Sequence, residues 1–559
     1  MRGDPAGGAV RVPPAVRGDP RARAHVRHRR AGLRVRRHGR LVRFLPVSDT
    51  AVMVELRDLD ETTRLFTALT AADLPGVREV VPAARTILVV FDPRRVTPAE
   101  LVERLRAVEP AARAAGAGRS VTLDVRYDGQ DLAEVAGLLG VSAEELVRRH
   151  QAATWTVAFT GYAPGFGYLV GDDELFDVPR RSSPRTRIPA GSVGLAGRFS
   201  GVYPRESPGG WQLIGRTDAA MWDIDRDPPA LLAPGTTVRF TRVERELVPV
   251  RGPRPAPVAS QSSVEVVSPG IQLVLQDLGR PGHLGEGVAA SGAADRAALR
   301  AANRAVGNAP GTAVLELAGG GAALRFTGAG VLALAGASVA AELRTAGGGR
   351  LPVLPGPFAV EDGDELRFGA QSDGLRTVVA VRGGFDVPAA LASLATDTLS
   401  GVGPSPLRAG DRLALHGPAA APHAVDPSPV AAADLPRAGR TVDLDVVLGP
   451  RTDWFTPAAL EALTTREWEV TPRSDRVGIR LAGTPLERSR DGELPSEGAV
   501  TGAIQVPPDG QPVLFGPDHP LTGGYPVIGA VVDAHLDLVG QLPPGARVRF
   551  HPRAPFTDL

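Results

Sequence analysis

Arginine side chains placed between prolines and glycines are the groups in this sequence best suited to do chemistry. A guanidinium offers a planar set of donors that can bind two oxygens of a carboxylate or a phosphate. A nearby imidazole or carboxylate could move protons near neutral pH. These requirements select the candidate catalytic residues His150, Arg180, Arg185, Arg280, Arg476, Arg480 and Asp518.

Carboxylates are candidate ligands for a magnesium ion. Mg²⁺ prefers oxygen ligands, and the candidates are Asp277, Asp295 and Glu316, with Asp518 as a fourth. An Arg–Asp pair at a turn can equally be structural, so both interpretations stay open. The sequence contains no His-Glu-x-x-His, Walker A or Ser-His-Asp signature, and familiar hydrolase or NTPase motifs are therefore unsupported.

A frame of Gly-Gly-aromatic-x-aliphatic-Ile-Gly occurs twice, within 207–215 and 521–529. Paired glycines before a ring mark a tight bend or a close approach of the backbone. The repetition indicates two related β-rich modules that face each other across a shared site. Each feature also has a structural alternative. The two frames could be turns that arose independently, and the aromatic rings could belong to the core of a barrel. The Asn and Gln amides could serve only to hydrogen-bond the loop backbone. The candidate substrate-binding residues are Tyr162, Phe166, Gly209, Gly210, Trp211, Asn303, Asn308, Gln505, Gly523, Gly524 and Tyr525.

Composition excludes several classes of site. The chain has 559 residues, of which 43% are apolar, and this length predicts three or four domains. There is no Cys, so disulfides, thiolate metal sites and Cys nucleophiles are excluded. There is also no Lys, and all 63 basic residues are Arg. A Schiff base, a Walker-type lysine and a biotinylated carrier lysine are therefore excluded as well.

The amino-terminal segment carries most of the positive charge. Residues 1–43 hold thirteen Arg and two Asp, a local charge of +11, so the remainder carries −10 within the overall +1. Such a segment cannot bury apolar surface, and we predict a disordered tail over 1–40, from a misassigned start codon. It lacks the apolar region of a targeting signal and the aromatics of a nucleic-acid arm. No apolar run approaches about 18 residues, so we expect a soluble, cytoplasmic protein that binds neither nucleic acid nor membrane.

Secondary-structure signals divide the rest of the chain. Strand and helix patterns alternate over 41–120, with helical spacing at Glu61–Ala71 and Pro98–Ala107, which predicts a small α+β domain. Within 121–248 we predict a strand, helices around Asp131–Leu139 and at Ser142–Ala152, and then short strands and turns from Trp155 to Arg242. A Pro-rich linker follows at 249–262. We predict one further domain over 263–559, with two β-rich lobes at about 263–416 and 441–559.

The motifs resemble a known family. Residues 41–245 resemble the B subunit of the bacterial 5-oxoprolinase family, also labelled allophanate hydrolase subunit 1 and sporulation kinase inhibitor. That resemblance rests on 159–169, 179–185, 188–193 and 207–217. The part after the linker resembles the C subunit, also labelled allophanate hydrolase subunit 2 and antagonist of the inhibitor, on 268–282, 291–295, 303–316, 449–455, 474–481, 502–507 and 522–526. Ser393-Leu-Ala-Thr396 and Pro520 depart from the family pattern.

The resemblance implies a natural B–C fusion of mainly β fold with α+β: two cyclophilin-like β-barrel halves preceded by a small α+β domain. It implies ATP-dependent opening of 5-oxoproline to glutamate, with ATP and Mg²⁺ as cofactors and a separate A subunit as partner, in a homo- or hetero-oligomer. The first alternative is carboxyl transfer from carboxybiotin to urea, which needs a carrier that this chain cannot supply. The second is non-enzymatic regulation of a histidine kinase. Fusion of an inhibitor to its antagonist would silence that switch, which favours the enzyme.

Overall fold

The computed structural model describes residues 36–37, 40–112, 118–181, 183, 185–245, 262–428, 434–490, 492 and 494–559. Strands make up 37% of the chain and helices 16%, which confirms the predicted mainly β fold. Most of the predicted tail and linker lies outside the described residues, although Arg36–Arg37 pairs with Arg40–Leu41. Within the described part, no helix combines the length and apolar character needed to cross a membrane. The predicted domain boundaries stay predictions.

Four antiparallel strands and two helices form the amino-terminal sheet. Side by side, the strands are Arg43–Ser48, Ala51–Glu55, Thr86–Phe91 and Val77–Pro82. The helices are Leu59–Ala71 and Pro98–Ala107. Thr97 and Glu100 form a capping box that starts the second helix. Apolar residues at helical spacing, including Leu101 and Leu105, bury one face of this helix in the core.

A seven-stranded sheet follows, and it curls around its own core. In order across the sheet, its strands are Gln212–Arg216, Ser192–Ala196, Phe199–Val202, Gly167–Gly171, Trp155–Thr160, Thr237–Arg242 and Ser120–Val125. A bridge between Arg126 and Arg216 joins the two edges. The helices Leu132–Leu138 and Ala143–Ala152 precede the second strand along the chain. Fully buried Trp155 lies in the core.

The middle sheet has ten strands and one packed helix. The strands are Ser263–Pro269, Gln272–Gln276, Val314–Ala318, Ala322–Thr327, Gly330–Arg344, Arg350–Pro352, Phe358–Val360, Glu365–Val381, Phe385–Asp386 and Arg412–Leu415. The helix Arg296–Ala305 packs its alanine-rich face on the two longest strands. Small side chains allow this close approach. Short 3₁₀ turns occur at Leu284–Glu286 and Pro418–Ala420.

The last part of the chain is a closed barrel. Around the barrel, its strands are Thr441–Leu448, Val527–Val531, Ala503–Gln505, Val513–Phe515, Gly478–Ala482, Trp468–Val470 and Arg547–Pro552. Two helices, Pro457–Thr465 and Leu536–Gly540, and two 3₁₀ turns, Thr452–Trp454 and Asp533–His535, accompany them. Closure leaves the barrel strands without a free edge.

The seven-stranded sheet and the closed barrel share one topology. Each pairs its first strand in sequence in parallel with its last, and the intervening strands follow in the same spatial order. The likeness extends to side chains. Trp155 Nε1 donates to His150 O (3.0 Å), and Trp468 Nε1 donates to Leu463 O (3.2 Å), both five residues back in a preceding helix. The two modules predicted from the repeated frame are therefore present.

The amino-terminal sheet packs on the closed barrel rather than standing apart. Arg451, 4% exposed, pairs with Glu55 of the sheet and Glu497 of the barrel segment. At the carboxyl end, Leu559 N–H donates to Phe44 O (2.8 Å). The B-like and C-like parts of the chain are thus in extensive contact.

Candidate active site

The two Gly-Gly turns lie on either side of the loop 179–181. Arg181 N–H donates to Gly210 O (2.9 Å) in the first turn. Nη1 of Arg180 lies 3.4 Å from the position that a Cβ on Gly524 would take in the second turn. Equivalent short strand pairs carry the turns: Arg185–Ile188 with Ser207–Gly209, and Glu497–Gly498 with Thr522–Gly523. The exposed Arg180 therefore reaches from the seven-stranded sheet to the turn of the barrel.

Tyr162 is held at this junction in a backbone conformation that favours glycine. Its φ is +63°, and such strained residues cluster at functional sites. Its N–H donates to Thr522 Oγ1 (3.0 Å), and its hydroxyl donates to Pro208 O. Burial raises the pKa of Tyr162, so the hydroxyl is protonated at neutral pH. The strained tyrosine thus links the two turns.

The rings predicted to bind substrate form a support beneath the first turn. Phe166 and Trp211 are 1% and 5% exposed, and their rings meet edge to face with centroids 5.2 Å apart. Tyr203 packs against Phe166 in the same cluster. Phe166 and Trp211 were predicted to contact substrate. Because both rings are buried, they support the turn from beneath and are not exposed to a ligand.

Arg185 is engaged in a structural ion pair. Its Nη2 and Nη1 donate to Asp131 Oδ1 (2.7 Å) and Oδ2 (2.9 Å). Asp131, just before the helix Leu132–Leu138, also accepts from Leu213 N–H (2.7 Å). This bidentate pair ties the hairpin to the sheet, and it corrects the predicted catalytic role of Arg185.

Arg476 and Asp518 form a fully buried pair between the barrel and the middle sheet. Arg476 Nε and Nη2 donate to the two oxygens of Asp518 (2.9 and 3.0 Å), and Nη1 donates to Glu316 (2.5 Å). Burial raises the pKa of Asp518, but the charge and hydrogen bonds of Arg476 outweigh burial and hold that pKa below its ordinary value. Asp518 is therefore ionised, and the pair is better suited to joining the two parts than to moving protons.

Ser291 is a residue of this junction that the sequence interpretation missed. Its φ is +54°, and its Oγ lies 2.6 Å from Asp518 Oδ1 and 3.1 Å from Thr396 O. One hydroxyl hydrogen must serve both acceptors. The sequence did contain one signal for Ser291, because this residue begins the family motif at 291–295. The strained, half-buried serine connects the ion pair to the loop at 396–403.

Arg280 and Arg205 contact that loop from different parts of the chain. Arg280, 1% exposed, donates through Nη2 to Ala395 O, while its Nε and Nη1 have no partner among the described residues. Burial lowers the pKa of Arg280, and nearby carboxylates partly oppose that shift. Arg205, from the seven-stranded sheet, places Nη1 2.8 Å from where a Cβ on Gly401 would lie. Residues of the seven-stranded sheet's part of the chain, the middle sheet and the barrel thus approach this loop.

His150 lies in the core of the seven-stranded sheet. It is fully buried, with Tyr127 Oη 2.8 Å from its Nδ1 and Ser200 Oγ 3.2 Å from its Nε2. Burial lowers the pKa of His150 to about 3, so the ring is neutral at physiological pH. Its ring packs on Phe240 at 4.4 Å. His150 was predicted to act as an acid–base group. Its buried position in the core does not fit that role.

Three of the four predicted magnesium ligands serve separate structural tasks. Asp277 accepts from Gly279 N–H and Ser393 Oγ, both at 2.7 Å. Asp295 caps the helix Arg296–Ala305, and burial raises its pKa. Glu316 pairs with Arg476. Across the described ranges, no three acidic or histidine side chains are arranged to hold a metal, which corrects the predicted Mg²⁺ site.

Asn303, Asn308 and Arg480 lie outside the junction. Asn308 Nδ2 donates to Asn303 Oδ1 (3.0 Å), and Asn303 Nδ2 donates to Thr312 O (2.7 Å). These amides fix the loop after the helix Arg296–Ala305. Arg480 is exposed on the strand Gly478–Ala482. The predicted site roles of all three therefore lack support.

Gln505 and Tyr525 contact each other at the second turn, and their binding of substrate stays a prediction. Gln505 Nε2 donates to Tyr525 O (3.4 Å), and a Cβ on Gly523 would lie only 2.7 Å from the same nitrogen. A side chain at position 523 would therefore displace the amide end of Gln505. The half-buried Tyr525 ring lies 5.9 Å from the guanidinium carbon of Arg488.

Two places thus offer groups that could bind a ligand. The exposed Arg180 and the half-buried Tyr162 hydroxyl lie beside the Gly-Gly turns, and the half-buried Ser291 and the buried, incompletely bonded Arg280 lie at the loop 396–403. Such groups can bind an anionic group at the rim and polarise a carbonyl inside. They do not form a nucleophile–base pair.

Comparison with known proteins gives matches to both parts of the chain. The carboxyltransferase domain, subdomain C and D, matches residues 42–232, and subdomain A and B of the same domain matches 286–552. The 5-oxoprolinase B subunit of Escherichia coli O157:H7 is 39% identical over 208 residues, which are 35% of this chain and 93% of that protein. The 5-oxoprolinase C subunit of Escherichia coli (strain K12) is 32% identical over 299 residues, or 51% and 90% of the two chains.

Two further likenesses cover different shares of the chain. A urea amidolyase of Lachancea kluyveri is 33% identical over 52% of this chain, but the match spans only 17% of that protein. The crystal structure of TTHA0988 has 34% sequence identity and a TM-score of 0.77, and the match covers 90% of this chain and 99% of that chain. The chain belongs to the family of the 5-oxoprolinase B and C subunits, with a B-like and a C-like part joined in one polypeptide.

Proposed function

We propose that this chain is the B/C component of an ATP-dependent 5-oxoprolinase, which opens 5-oxo-L-proline to L-glutamate together with a separate A subunit. One observation carries the proposal. Matches that span 93% of a B subunit and 90% of a C subunit occur in one chain, and its two Gly-Gly turns meet at Arg180 and Arg181. A site shared between the two parts would need both of them.

The junction suits recognition of a small carboxylate-bearing amide. Arg180 lies at the rim, where a guanidinium can bind the substrate carboxylate. The Tyr162 hydroxyl and the second Gly-Gly turn lie on either side of it. Since glycine leaves the backbone accessible, the turns allow close approach of the ring of the substrate.

The residues of this chain do not fit an ATP–Mg²⁺ site. Of the five arginines predicted to bind phosphate or the substrate carboxylate (Arg180, Arg185, Arg280, Arg476 and Arg480), Arg185 and Arg476 are paired with carboxylates. Asp277, Asp295 and Glu316 are likewise engaged within the protein. We therefore assign nucleotide binding to the partner protein, and the role of this chain is to bind and orient the amide.

Carboxyl transfer to urea is the second candidate, because a urea amidolyase is 33% identical over 52% of this chain. The Lys-free chain would need a separate biotin carrier. The same amide-binding junction would then bind urea, whereas a carboxylate-binding arginine at the rim would have no substrate group to bind.

Reconstitution distinguishes these functions. The full chain is assayed with and without the A subunit, following glutamate release with ATP and Mg²⁺, and separately with carboxybiotin and urea. We expect glutamate only with the partner. In that assay Arg180→Ala lowers kcat/KM at least tenfold, because an anion contact is lost, while Arg480→Ala, an exposed arginine on a barrel strand, stays within twofold. Full activity from the isolated chain, or urea-dependent decarboxylation alone, would overturn the proposal.

A further inference from the structure

Three buried side chains of the middle sheet carry polar atoms without partners. Arg280, Gln276 and Thr396 are 1%, 0% and 1% exposed. Nε and Nη1 of Arg280, Oε1 of Gln276 and Oγ1 of Thr396 make no hydrogen bond within the described part of the chain. Buried polar groups in native proteins are almost always paired, and an exception calls for a water or a ligand.

The unpaired atoms belong to one cluster. Arg280 Nη2 donates to Ala395 O, and Gln276 Nε2 donates to the adjacent carbonyl, Thr396 O (2.8 Å). The second bond fixes the orientation of the Gln276 amide, because only its nitrogen can donate to a carbonyl. Its Oε1 is therefore an available acceptor. Two donor nitrogens, one acceptor oxygen and one hydroxyl remain unbonded around two consecutive residues.

The charges around Arg280 decide what kind of ligand fits. The carboxyl groups of Asp397, Asp277 and Asp518 act on Arg280 electrostatically, so an added anion would meet the ionised Asp518 and two further carboxyl groups. A neutral carbonyl oxygen avoids that repulsion and still accepts a charge-assisted hydrogen bond. An N–H on the same ligand would satisfy Gln276 Oε1.

We propose that Gln276, Arg280 and Thr396 form an amide-recognition site, in which Arg280 donates to the carbonyl oxygen of a small neutral amide and Gln276 Oε1 accepts from its N–H. In a five-membered lactam the C=O and N–H lie on the same edge of the ring, so both are presented together to a donor and an acceptor. The guanidinium also stabilises negative charge that develops on the carbonyl oxygen. The inference rests on the proposed function only in that the substrate is an amide, and it adds the residues that recognise that group.

Ligand binding tests the site without the partner protein or ATP. The full chain is titrated with 2-pyrrolidinone, urea and 5-oxo-L-proline, and with L-proline and acetate as compounds that lack the amide. We expect the three amides to bind, and 2-pyrrolidinone and 5-oxo-L-proline also to raise Tm, since urea itself destabilises folded proteins. L-Proline and acetate can contact Arg180 through a carboxylate, and any binding of these two controls should not depend on Gln276 or Arg280. If no amide binds, the unpaired atoms are hydrated by interior water and the inference is wrong.

Variants locate the binding. Gln276→Met and Arg280→Met each weaken amide binding at least tenfold. The matched control is Gln371→Met in the same sheet, whose Oε1 accepts from Gly319 N–H (2.8 Å) and whose Nε2 donates to Thr377 Oγ1 (3.0 Å). Because Gln371 is already bonded within the protein, its loss lowers Tm and leaves amide affinity unchanged. Gln276→Met adds no charge and conserves volume, so it should fold even if Arg280→Met does not. If its affinity for amides is unchanged, the proposed site is wrong.

The outcomes separate this inference from the proposed function. Amide binding that depends on Gln276, without partner-dependent glutamate release, would count against 5-oxoprolinase activity and support the site. Glutamate release that is insensitive to both variants would count against the site alone.

Discussion

Arg476 illustrates how a buried charge can hold two parts of a chain together. Its exposure is 0%, and Nε, Nη1 and Nη2 all donate to acceptors, including Gly292 O (2.7 Å) in the middle sheet. Removal of one partner from such a network leaves the others buried and uncompensated. The residue is therefore part of the structural framework of the junction.

Replacement of Arg476 should be costly to folding. We expect Arg476→Met to lower the free energy of unfolding by about 3–5 kcal/mol, because Asp518 and Glu316 lose their cation in a buried environment. Arg480→Met, four residues on and exposed, should change it by less than about 0.5 kcal/mol. Chemical denaturation of the two variants measures the difference. Equal stability of both would show that the buried pair has no net structural role.

Asp397 gives the stability of the protein an unusual pH dependence. Burial raises its pKa, and the charge of Asp518 adds to that shift. The native state therefore holds this proton more tightly than the unfolded chain does. Asp397 therefore adds to the free energy of unfolding at low pH. This contribution is complete below the pKa of the unfolded chain, about 3.9, and is lost as the pH rises through the pKa of the native state.

Asp397→Asn should thus gain stability over the wild type as the pH rises. We expect the Tm difference to increase in favour of the variant between about pH 4 and pH 8. Asp173→Asn is the opposite case, because the hydrogen bond from Arg149 outweighs burial and lowers the pKa of Asp173. Its Tm deficit should shrink as pH falls below about 4. A pH-independent Tm difference for Asp397→Asn would contradict the argument.

At the scale of elements, the junction depends on close packing between the loop after Trp155–Thr160 and the short strand Thr522–Gly523. A Cβ on Gly161 would lie 2.7 Å from Thr522 Oγ1 and 2.8 Å from its Cγ2. The same loop is held by the bond from Thr160 Oγ1 to Gly285 O (2.7 Å). Little room exists for adjustment, because three separate elements meet there.

Gly161→Ala should open this junction. We expect faster hydrogen exchange at Gly285 and Thr522 and a loss of about 1–3 kcal/mol of stability, since overpacking forces the backbone apart. Gly137→Ala is the control, because nothing lies within 4 Å of its Cβ position in the helix Leu132–Leu138. That substitution should stabilise by about 0.5–1 kcal/mol. Unchanged exchange in Gly161→Ala would mean that the contact is dispensable.

Local patterns predict many elements correctly because they depend on neighbouring residues. The helix Pro98–Ala107 follows from its Pro, its cap and its apolar spacing, and the helix Ala143–Ala152 follows from Ser142, whose Oγ accepts from Glu145 N–H (3.1 Å). The helix Pro457–Thr465 is not predicted, because it lies inside a segment dominated by strands. Barrel closure depends on contacts distant in sequence, which local patterns do not contain.

The site is predicted less completely, for a physical reason. The convergence of the Gly-Gly turns follows from their repetition. By contrast, a sequence does not reveal whether an arginine has a carboxylate beside it, and so the assignment of Arg185 and Arg476 to ligand binding is wrong. The sequence likewise does not reveal that His150 is buried. Ser291 is identified only by its positive φ, and Gln276 only by its unpaired Oε1. Both features require the structure.

At the scale of the whole molecule, several contacts join the B-like and C-like parts besides the segment that connects them. Arg451 of the C-like part is 4% exposed and pairs with Glu55 of the B-like part. Tyr162 and Thr522 add a hydrogen bond across the same boundary. These contacts do not require a continuous chain.

Two separate fragments should therefore assemble. Co-expressed residues 41–248 and 262–559 should purify together and give the same partner-dependent activity as the full chain. Arg451→Met should weaken their association by about 3–5 kcal/mol, because Glu55 and Glu497 lose their shared cation. Arg553→Met, an exposed arginine just beyond the last barrel strand, is the matched control. Calorimetric titration of one fragment into the other measures both, and fragments that fail to associate would contradict the prediction.

The carboxyl end of the chain lies against one of its first strands. Arg43 pairs with Asp558 (3.1 Å), and Leu559 N–H donates to Phe44 O, so the polypeptide nearly closes on itself. A permuted gene that encodes the C-like part first and joins residue 559 to residue 41 through a short spacer would preserve every strand pairing from residue 43 onward. Either order of the B-like and C-like parts along the chain should thus be compatible with this fold.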